Sequence, residues 1–217
     1  MESTKTIRAG AYFGAAGAAL LVLMAIIGLG AGETLGVLAQ PDLHPPYGPA
    51  IKPGAAALLK LMALDSLFLI AYSGAFVGAA AAVWRRAMIW GAVGLGFALL
   101  TALLDMSENA LTVQIARKAL ADLEISSGML TAVSALGFVK YGSASIATAS
   151  FAAGLVISMP APHRLTQVTA ILLLLFGLVN AITVAFPAAA ALLILWMLVV
   201  LVAATIFLWR VSRDGVG

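Results

Sequence analysis

Six apolar segments dominate the chain, and each is long enough to cross a membrane's hydrocarbon core, which takes about 20 helical residues. They lie at residues 7–31, 55–83, 87–112, 129–159, 165–186 and 188–209. Of the 217 residues 63% are hydrophobic and 10% charged, whereas soluble domains are about 45–50% apolar and about 25% charged. The sequence therefore predicts an all-α, polytopic membrane helix bundle with six transmembrane helices, forming a single transmembrane domain over residues 1–217.

Two of these segments are ambiguous by length and position alone. The last two are interrupted only by Pro187, but a run of more than about forty apolar residues cannot be a single span. The first follows Lys5 and Arg8, as the core of a signal peptide would, yet it exceeds the roughly 7–15 residues of such a core. We therefore interpret it as a retained first span.

The basic residues predict an orientation. With six spans, one side of the membrane carries seven basic residues, namely Lys5, Arg8, Arg85, Arg86, Arg164, Arg210 and Arg213. The other side holds four basic and four acidic residues, namely Lys52, Lys60, Arg117, Lys118, Glu33, Asp42, Asp122 and Glu124. Because positively charged loops stay in the cytoplasm, we expect both termini to be cytoplasmic and the protein to lie in a cell membrane, most simply a bacterial inner membrane.

Several classes of function are disfavoured by composition. The chain has no cysteine, which excludes disulfides, zinc–thiolate sites and thiol nucleophiles. Its net charge of +3 comes from basic residues scattered at the ends of apolar runs, which is not the stripe that nucleic-acid binding needs. His44 and His163 fall on opposite sides of the membrane, which argues against paired histidine ligation of haem or a metal. We expect no cofactor, no metal and no nucleic acid, and the lipid bilayer as the main partner.

The third span carries the most costly residues of the chain. Asp105, Glu108 and Asn109 lie within it, and a charged group at the centre of a bilayer helix costs roughly 2.5–3.5 kcal/mol on insertion scales. Thr101, Asp105, Glu108 and Thr112 recur at spacings of four, three and four residues, which places them on one helix face with Asn109 beside them. Such residues are usually paired, exposed to a cavity, or functional.

Other spans offer polar residues at overlapping depths. At about 1.5 Å per helical residue, Asp65 lies about 15 Å deep, Lys140 about 16 Å, Asp105 about 10 Å and Asn180 about 9 Å from the outer side. Asp65 and Tyr72 are seven residues apart and share a face. We expect one polar cluster that binds a ligand or protons, made of Asp65, Tyr72, Asp105, Glu108, Asn109, Lys140 and Asn180; no catalytic residue is assigned.

The charge balance of this cluster indicates its chemistry. Three carboxyl groups face the single ammonium group of Lys140, which leaves two negative charges if all are ionised. Burying that excess is costly unless a proton, a cation or water compensates it. We therefore expect an outward-facing polar pocket that binds a small solute, cation or lipid head group, with protonation of Asp65, Asp105 or Glu108 coupled to binding or transport.

Three alternatives remain open at this point. Lys140 with Asp105 or Glu108 would serve structure alone as an interhelical ion pair that fixes the register of the bundle. An intramembrane enzyme would use one carboxylate as a general base on a lipid-linked substrate. A subunit of a larger membrane complex, or of a homo-oligomer, would use small-residue faces such as Gly10 with Gly14 for helix packing.

The two long outer connections have different patterns. Residues 32–54 contain five prolines, which predict an extended or turn-rich segment that either caps a cavity or spaces the first two spans. Residues 113–128 mix Ile115, Leu120 and Leu123 with charged residues. This pattern predicts that the third helix continues past the membrane surface or turns to lie along it.

Overall fold

The computed structural model describes residues 2–31, 46–158, 164–186 and 190–214. Within these ranges the chain is almost wholly helical and forms no strand. Six of its helices are long and apolar enough to cross a membrane, which is consistent with a multi-pass integral membrane protein. The predicted all-α class and the six spans are thus confirmed.

The chain forms seven α-helices and one 3₁₀ turn in the described ranges. In order these are α1 (Glu2–Ala31), α2 (Tyr47–Ile51), the 3₁₀ turn Lys52–Gly54, α3 (Ala55–Val83), α4 (Met88–Leu120), α5 (Ser127–Ser158), α6 (Arg164–Ala185) and α7 (Ala190–Asp214). Helix α1 begins before the predicted residue 7, and α4 runs beyond the predicted residue 112. Most of the proline-rich connection and the break at Pro187 lie outside the described residues.

The six long helices pack in a closed ring. Following the chain, α1 packs on α3, α3 on α4, α4 on α5, α5 on α6 and α6 on α7, and α7 returns to α1. Each long helix thus has a sequence neighbour on at least one side, as short connections between antiparallel helices favour. The ring encloses a central space, which α3 partly bridges through contacts with α5 and α7.

The two ends of the ring differ in composition. One end of the ring contains an apolar cluster that includes Ile7, Val83, Leu155 and Val211. These residues come from the start of α1 and from the ends of α3, α5 and α7. We call this end the basic end, since the residues at or near it include Arg8, Arg85, Arg86, Arg164, Arg210 and Arg213. We call the opposite end, where α2 packs on α4, the capped end.

At the capped end α4 stops in a regular helix-ending motif. Asp122 has a left-handed backbone with a φ of 54°. The Leu123 N–H donates to the Lys118 carbonyl at 2.9 Å and the Asp122 N–H to the Ala119 carbonyl at 3.4 Å, which is the Schellman pattern. The Lys52 ammonium lies 2.6 Å from the Asp122 carboxylate and links the 3₁₀ turn to this motif. The third predicted span therefore continues past residue 112 as one unbroken helix.

The closest helix contact is between α1 and α3. A Cβ added at Gly10 would clash with the backbone of Gly78, and one added at Gly78 would clash with the backbone of Gly10. The two backbones therefore touch directly at this point. Small residues permit this because membrane helices associate mainly through close van der Waals packing.

We predict that Gly78→Ala destabilises the protein, because the added methyl group must displace the backbone of α1. Overpacking of this kind costs about 1–3 kcal/mol. The measurement is the melting temperature of the purified protein in detergent. The matched control is Gly96→Ala, because a Cβ at Gly96 meets no atom within 4 Å; equal melting temperatures for the two variants would contradict the contact.

Candidate functional site

Six of the seven predicted site residues meet where α3, α4 and α5 pack together. Asp65 and Tyr72 come from α3, Lys140 comes from α5, and α4 supplies Asp105, Glu108 and Asn109. Helical periodicity explains the arrangement on α4, because residues three and four apart project from one face. That face is buried along its length, from Thr101 through Asp105 and Asn109 to Thr112.

Lys140 is shared between two carboxylates of α4. Its ammonium donates to Asp105 Oδ1 at 2.9 Å and lies 2.5 Å from Glu108 Oε2. The side chains of Lys140 and Asp105 are only 13% and 6% exposed. Gly137, one helical turn before Lys140, lies beside the Glu108 carboxylate, since a Cβ there would be in van der Waals contact with Glu108 Oε1 at 3.5 Å. A buried charge in this position needs its partners, because removing one leaves the other desolvated and unpaired.

Asp105 connects all three helices. Its second oxygen, Oδ2, accepts a hydrogen bond from the Tyr72 hydroxyl of α3 at 2.9 Å. One carboxylate thus bonds to α3 through Tyr72 and to α5 through Lys140. A further link between α4 and α5 comes from the hydroxyls of Thr101 and Ser143, which lie 2.7 Å apart.

Asp65 has a different environment from the other two acids. Its Oδ2 accepts a hydrogen bond from Asn109 Nδ2 at 2.7 Å. Among the described residues no basic side chain lies within ion-pair distance of it. A neutral amide therefore orients Asp65 without balancing its charge. If all the carboxyl groups are ionised, the cluster of Asp65, Asp105, Glu108 and Lys140 keeps two uncompensated negative charges.

Asn180 lies apart from these residues. It is on α6, where its Nδ2 lies 3.4 Å from the Ser145 hydroxyl of α5. Its buried Oδ1 has no hydrogen-bond partner in the part of the chain that the structure describes. Counting residues predicts the depth of Asn180 along its helix but not the position of that helix in the ring. In the structure α6 packs on α5 and α7. The sequence did not single out Ser143 or Tyr141, although Ser143 follows Lys140 at helical spacing.

A central cavity of about 160 Å³ adjoins the cluster. Its polar lining includes Asp65, Tyr72, Thr101, Asp105, Lys140 and Tyr141. Most of the remaining lining is apolar, and it includes the aromatic side chains Phe68, Phe76, Phe151, Phe176 and Phe207. The cavity is thus charged in one region and apolar elsewhere, which is the usual character of a small-molecule site.

The aromatic side chains form a continuous series beside the charged region. Phe68 contacts Tyr72 with ring centroids 5.3 Å apart, and Tyr72 contacts Phe76 at 5.9 Å. Phe76 then stacks on Phe151 of α5 at 5.5 Å. The spacing of four residues on α3 aligns the first three rings on one face. Tyr72 therefore belongs to both parts of the site, through its hydroxyl and through its ring.

The site can hold a proton or a cation more readily than an anion. Of the described residues, only Lys140 brings an ammonium group to the cavity lining, and this group already contacts two carboxylates. A ligand anion would have to compete with both. Within the described residues, no group of three or more histidine or acidic side chains is arranged to hold a metal ion. The uncompensated carboxylate of Asp65 is the group most open to a new partner.

We predict that Lys140→Met strongly destabilises the protein, because it leaves Asp105 and Glu108 buried without a positive charge. Removing one partner of a buried ion pair costs about 3–5 kcal/mol. Adding Asp105→Asn in the same chain should recover part of the loss. The measurement is thermal unfolding in detergent, and the matched control is Lys60→Met on the exposed face of α3. A Lys140→Met protein as stable as the control would show that the ion pair does not hold the helices.

Comparison with known proteins adds no assignment to this site. No protein-family model, no curated protein and no solved structure matched the chain. The function of the site therefore rests on its own contacts, charges and shape.

Proposed function

We propose that this protein is a membrane carrier that binds a small solute, cation or lipid head group in its central cavity and exchanges it for protons held by the acidic cluster. The observation that carries the proposal is the excess of two carboxylates over ammonium groups in the cluster, of which Asp65, Asp105 and Lys140 line the cavity within the ring of helices. An ion pair that only fixed the register of the helices would need one acid, and the pair of Lys140 with Asp105 already provides it.

The exchange follows from the surroundings of Asp65. The groups gathered about it are Asn109, its hydrogen-bond donor, and Asp105, Glu108, Lys140 and Tyr72 of the same cluster. An uncompensated charge at this depth is costly, and either a proton or a bound cation removes the cost. The two compete for the same carboxylate, so binding of one releases the other. This competition is the minimum that proton-coupled exchange requires.

The orientation of the carrier is part of the proposal. The rule of positive inner loops places the basic end and both termini in the cytoplasm. The capped end then faces outward. Asp65 lies ten residues into α3 from that end, and the acidic cluster is therefore nearer to the outer surface.

We predict that an impermeant maleimide distinguishes the two ends in intact cells. The natural chain has no cysteine, so single cysteines can be introduced at exposed positions without background. Glu124→Cys at the capped end should react in intact cells, whereas Arg85→Cys at the basic end should react only after permeabilisation. The opposite pattern would invert the orientation and place the cluster nearer to the cytoplasm.

We predict that the cluster takes up protons as the pH falls through the range in which the protein stays folded. Infrared difference spectra of the protein in lipid nanodiscs should show a protonated-carboxyl band, and Asp65→Asn should remove part of it. The control is Glu124→Gln, which changes an exposed carboxyl group outside the cluster. If Asp65→Asn, Asp105→Asn and Glu108→Gln all leave the band unaltered, the acids do not exchange protons and the carrier proposal is wrong.

Exchange is measured directly in proteoliposomes that contain a trapped pH-sensitive dye. Three probes of equal chain length are added outside: hexyltrimethylammonium, hexan-1-ol and hexanesulfonate. At least one should move protons across the membrane, and neither empty liposomes nor the Asp65→Asn protein should show this flux. If no probe moves protons, the carrier function fails.

A further inference from the structure

The lining of the central cavity is elongated. It extends along α3 from Asp65 to Val83 and along α5 from Lys140 to Leu155. At 1.5 Å per residue these stretches span about 27 Å and about 22 Å. A ligand that contacts the whole of this lining is itself elongated, as an extended chain is.

The polarity of the cavity changes along its length. The side chains toward the capped end include Asp65, Tyr72, Asp105 and Lys140, and those toward the basic end are mainly apolar and include Val83, Leu155, Phe207 and Leu208. The hydroxyls of Thr148 and Thr169 also line this second part, but each donates to a carbonyl of its own helix. A ligand that matches this lining has one polar end and one apolar end. Burial of the apolar part contributes about 0.8 kcal/mol for each methylene group, and the chain would therefore supply much of the affinity.

The polar end of the ligand must suit the charges at the polar end of the cavity. Asp65 has no basic partner among the described residues, and both of the other acids share Lys140. The rings of Phe68 and Tyr72 lie next to these carboxylates, and aromatic faces attract cations. An anionic head would be repelled, and a neutral head would leave the excess charge uncompensated.

We propose that the ligand is a single-chain amphiphile with a cationic head, such as a long-chain amine or quaternary ammonium compound. The head lies at Asp65, beside the rings of Phe68 and Tyr72, and the chain extends toward the basic end. This ligand class rests on the proposed function, because it specifies what the same cavity binds. It assigns Asp65 as the residue that selects for positive charge.

The test measures binding of hexyltrimethylammonium, hexan-1-ol and hexanesulfonate to the full chain in nanodiscs by equilibrium dialysis. Empty nanodiscs provide the partition background. The cation should bind at least tenfold more tightly than the other two probes. In a series from butyl- to hexadecyltrimethylammonium, the affinity should rise about fourfold for each added methylene, as full burial predicts, and then level off when the chain fills the cavity. Partition into empty nanodiscs instead continues to rise with chain length, and this difference distinguishes binding in the cavity from partition into the lipid.

Two substitutions locate the head and the chain. Asp65→Asn should lower the ratio of cation to alcohol affinity about tenfold, and Asp65→Glu, which restores the charge, should recover most of it. Ala204→Phe projects a ring into the cavity from α7 and should abolish binding of the longer chains. Its control is Ala92→Phe on an exposed position of α4. If Ala204→Phe fails to fold, as judged by its melting temperature, the Asp65 pair of variants decides the proposal without it.

The outcomes separate this proposal from the carrier function. If the alcohol or the sulfonate binds as tightly as the cation, the ligand class is wrong, while a proton flux with any probe leaves the carrier function standing. If the cation binds selectively but moves no protons, the ligand class stands and the carrier function fails. An affinity that rises with chain length exactly as in empty nanodiscs would show that the cavity holds no chain.

Discussion

Two carboxylates of α4 share one ammonium group, and this interaction fixes how α3, α4 and α5 meet. Lys140 of α5 contacts Asp105 and Glu108, and Asp105 also accepts a hydrogen bond from the hydroxyl of Tyr72 on α3. Three neighbouring helices of the ring are therefore held by polar contacts in a region where apolar packing is weakly directional. Such contacts specify which helix faces meet, because any rotation would leave a charged or polar group unpaired in an apolar medium.

The same interaction divides the acids of the site into two kinds. Asp105 and Glu108 are paired with Lys140, whereas Asp65 is available to bind a proton or a ligand. Asp105 has both oxygens occupied, and Glu108 shares the ammonium. Within the part of the chain that the structure describes, Asp65 accepts a side-chain hydrogen bond only from the amide of Asn109. A protein can keep a buried ion pair for architecture alone, but an additional acid beside a cavity adds cost without improving the register. Asp65 is for this reason the position at which we expect proton and ligand to compete.

Most of the architecture was predictable from the sequence, whereas only part of the site was. The lengths of the apolar segments predicted six spans, which the structure confirms. Helical spacing predicted that Asp105 and Glu108 lie on one face of α4, and in the structure both contact Lys140. Depth alone suggested that Asn180 belongs with them, yet α6 packs on the far side of α5. Depth follows from counting residues along one helix, but the order of helices around a ring depends on packing between chain segments far apart in sequence. The pair of Lys52 and Asp122 was not predictable for the same reason, since two separate connections have to meet.

The direct contact between Gly10 and Gly78 limits how the ring can change shape. Where two backbones touch, no side chain lies between them whose change of rotamer would absorb a displacement. Helices α1 and α3 must then move together as one stiff wall at this point. Any widening that admits a ligand must therefore occur at helix contacts other than this one. Helices α1 and α3 form the fixed side of the ring, and α3 lines the cavity from Asp65 to Val83.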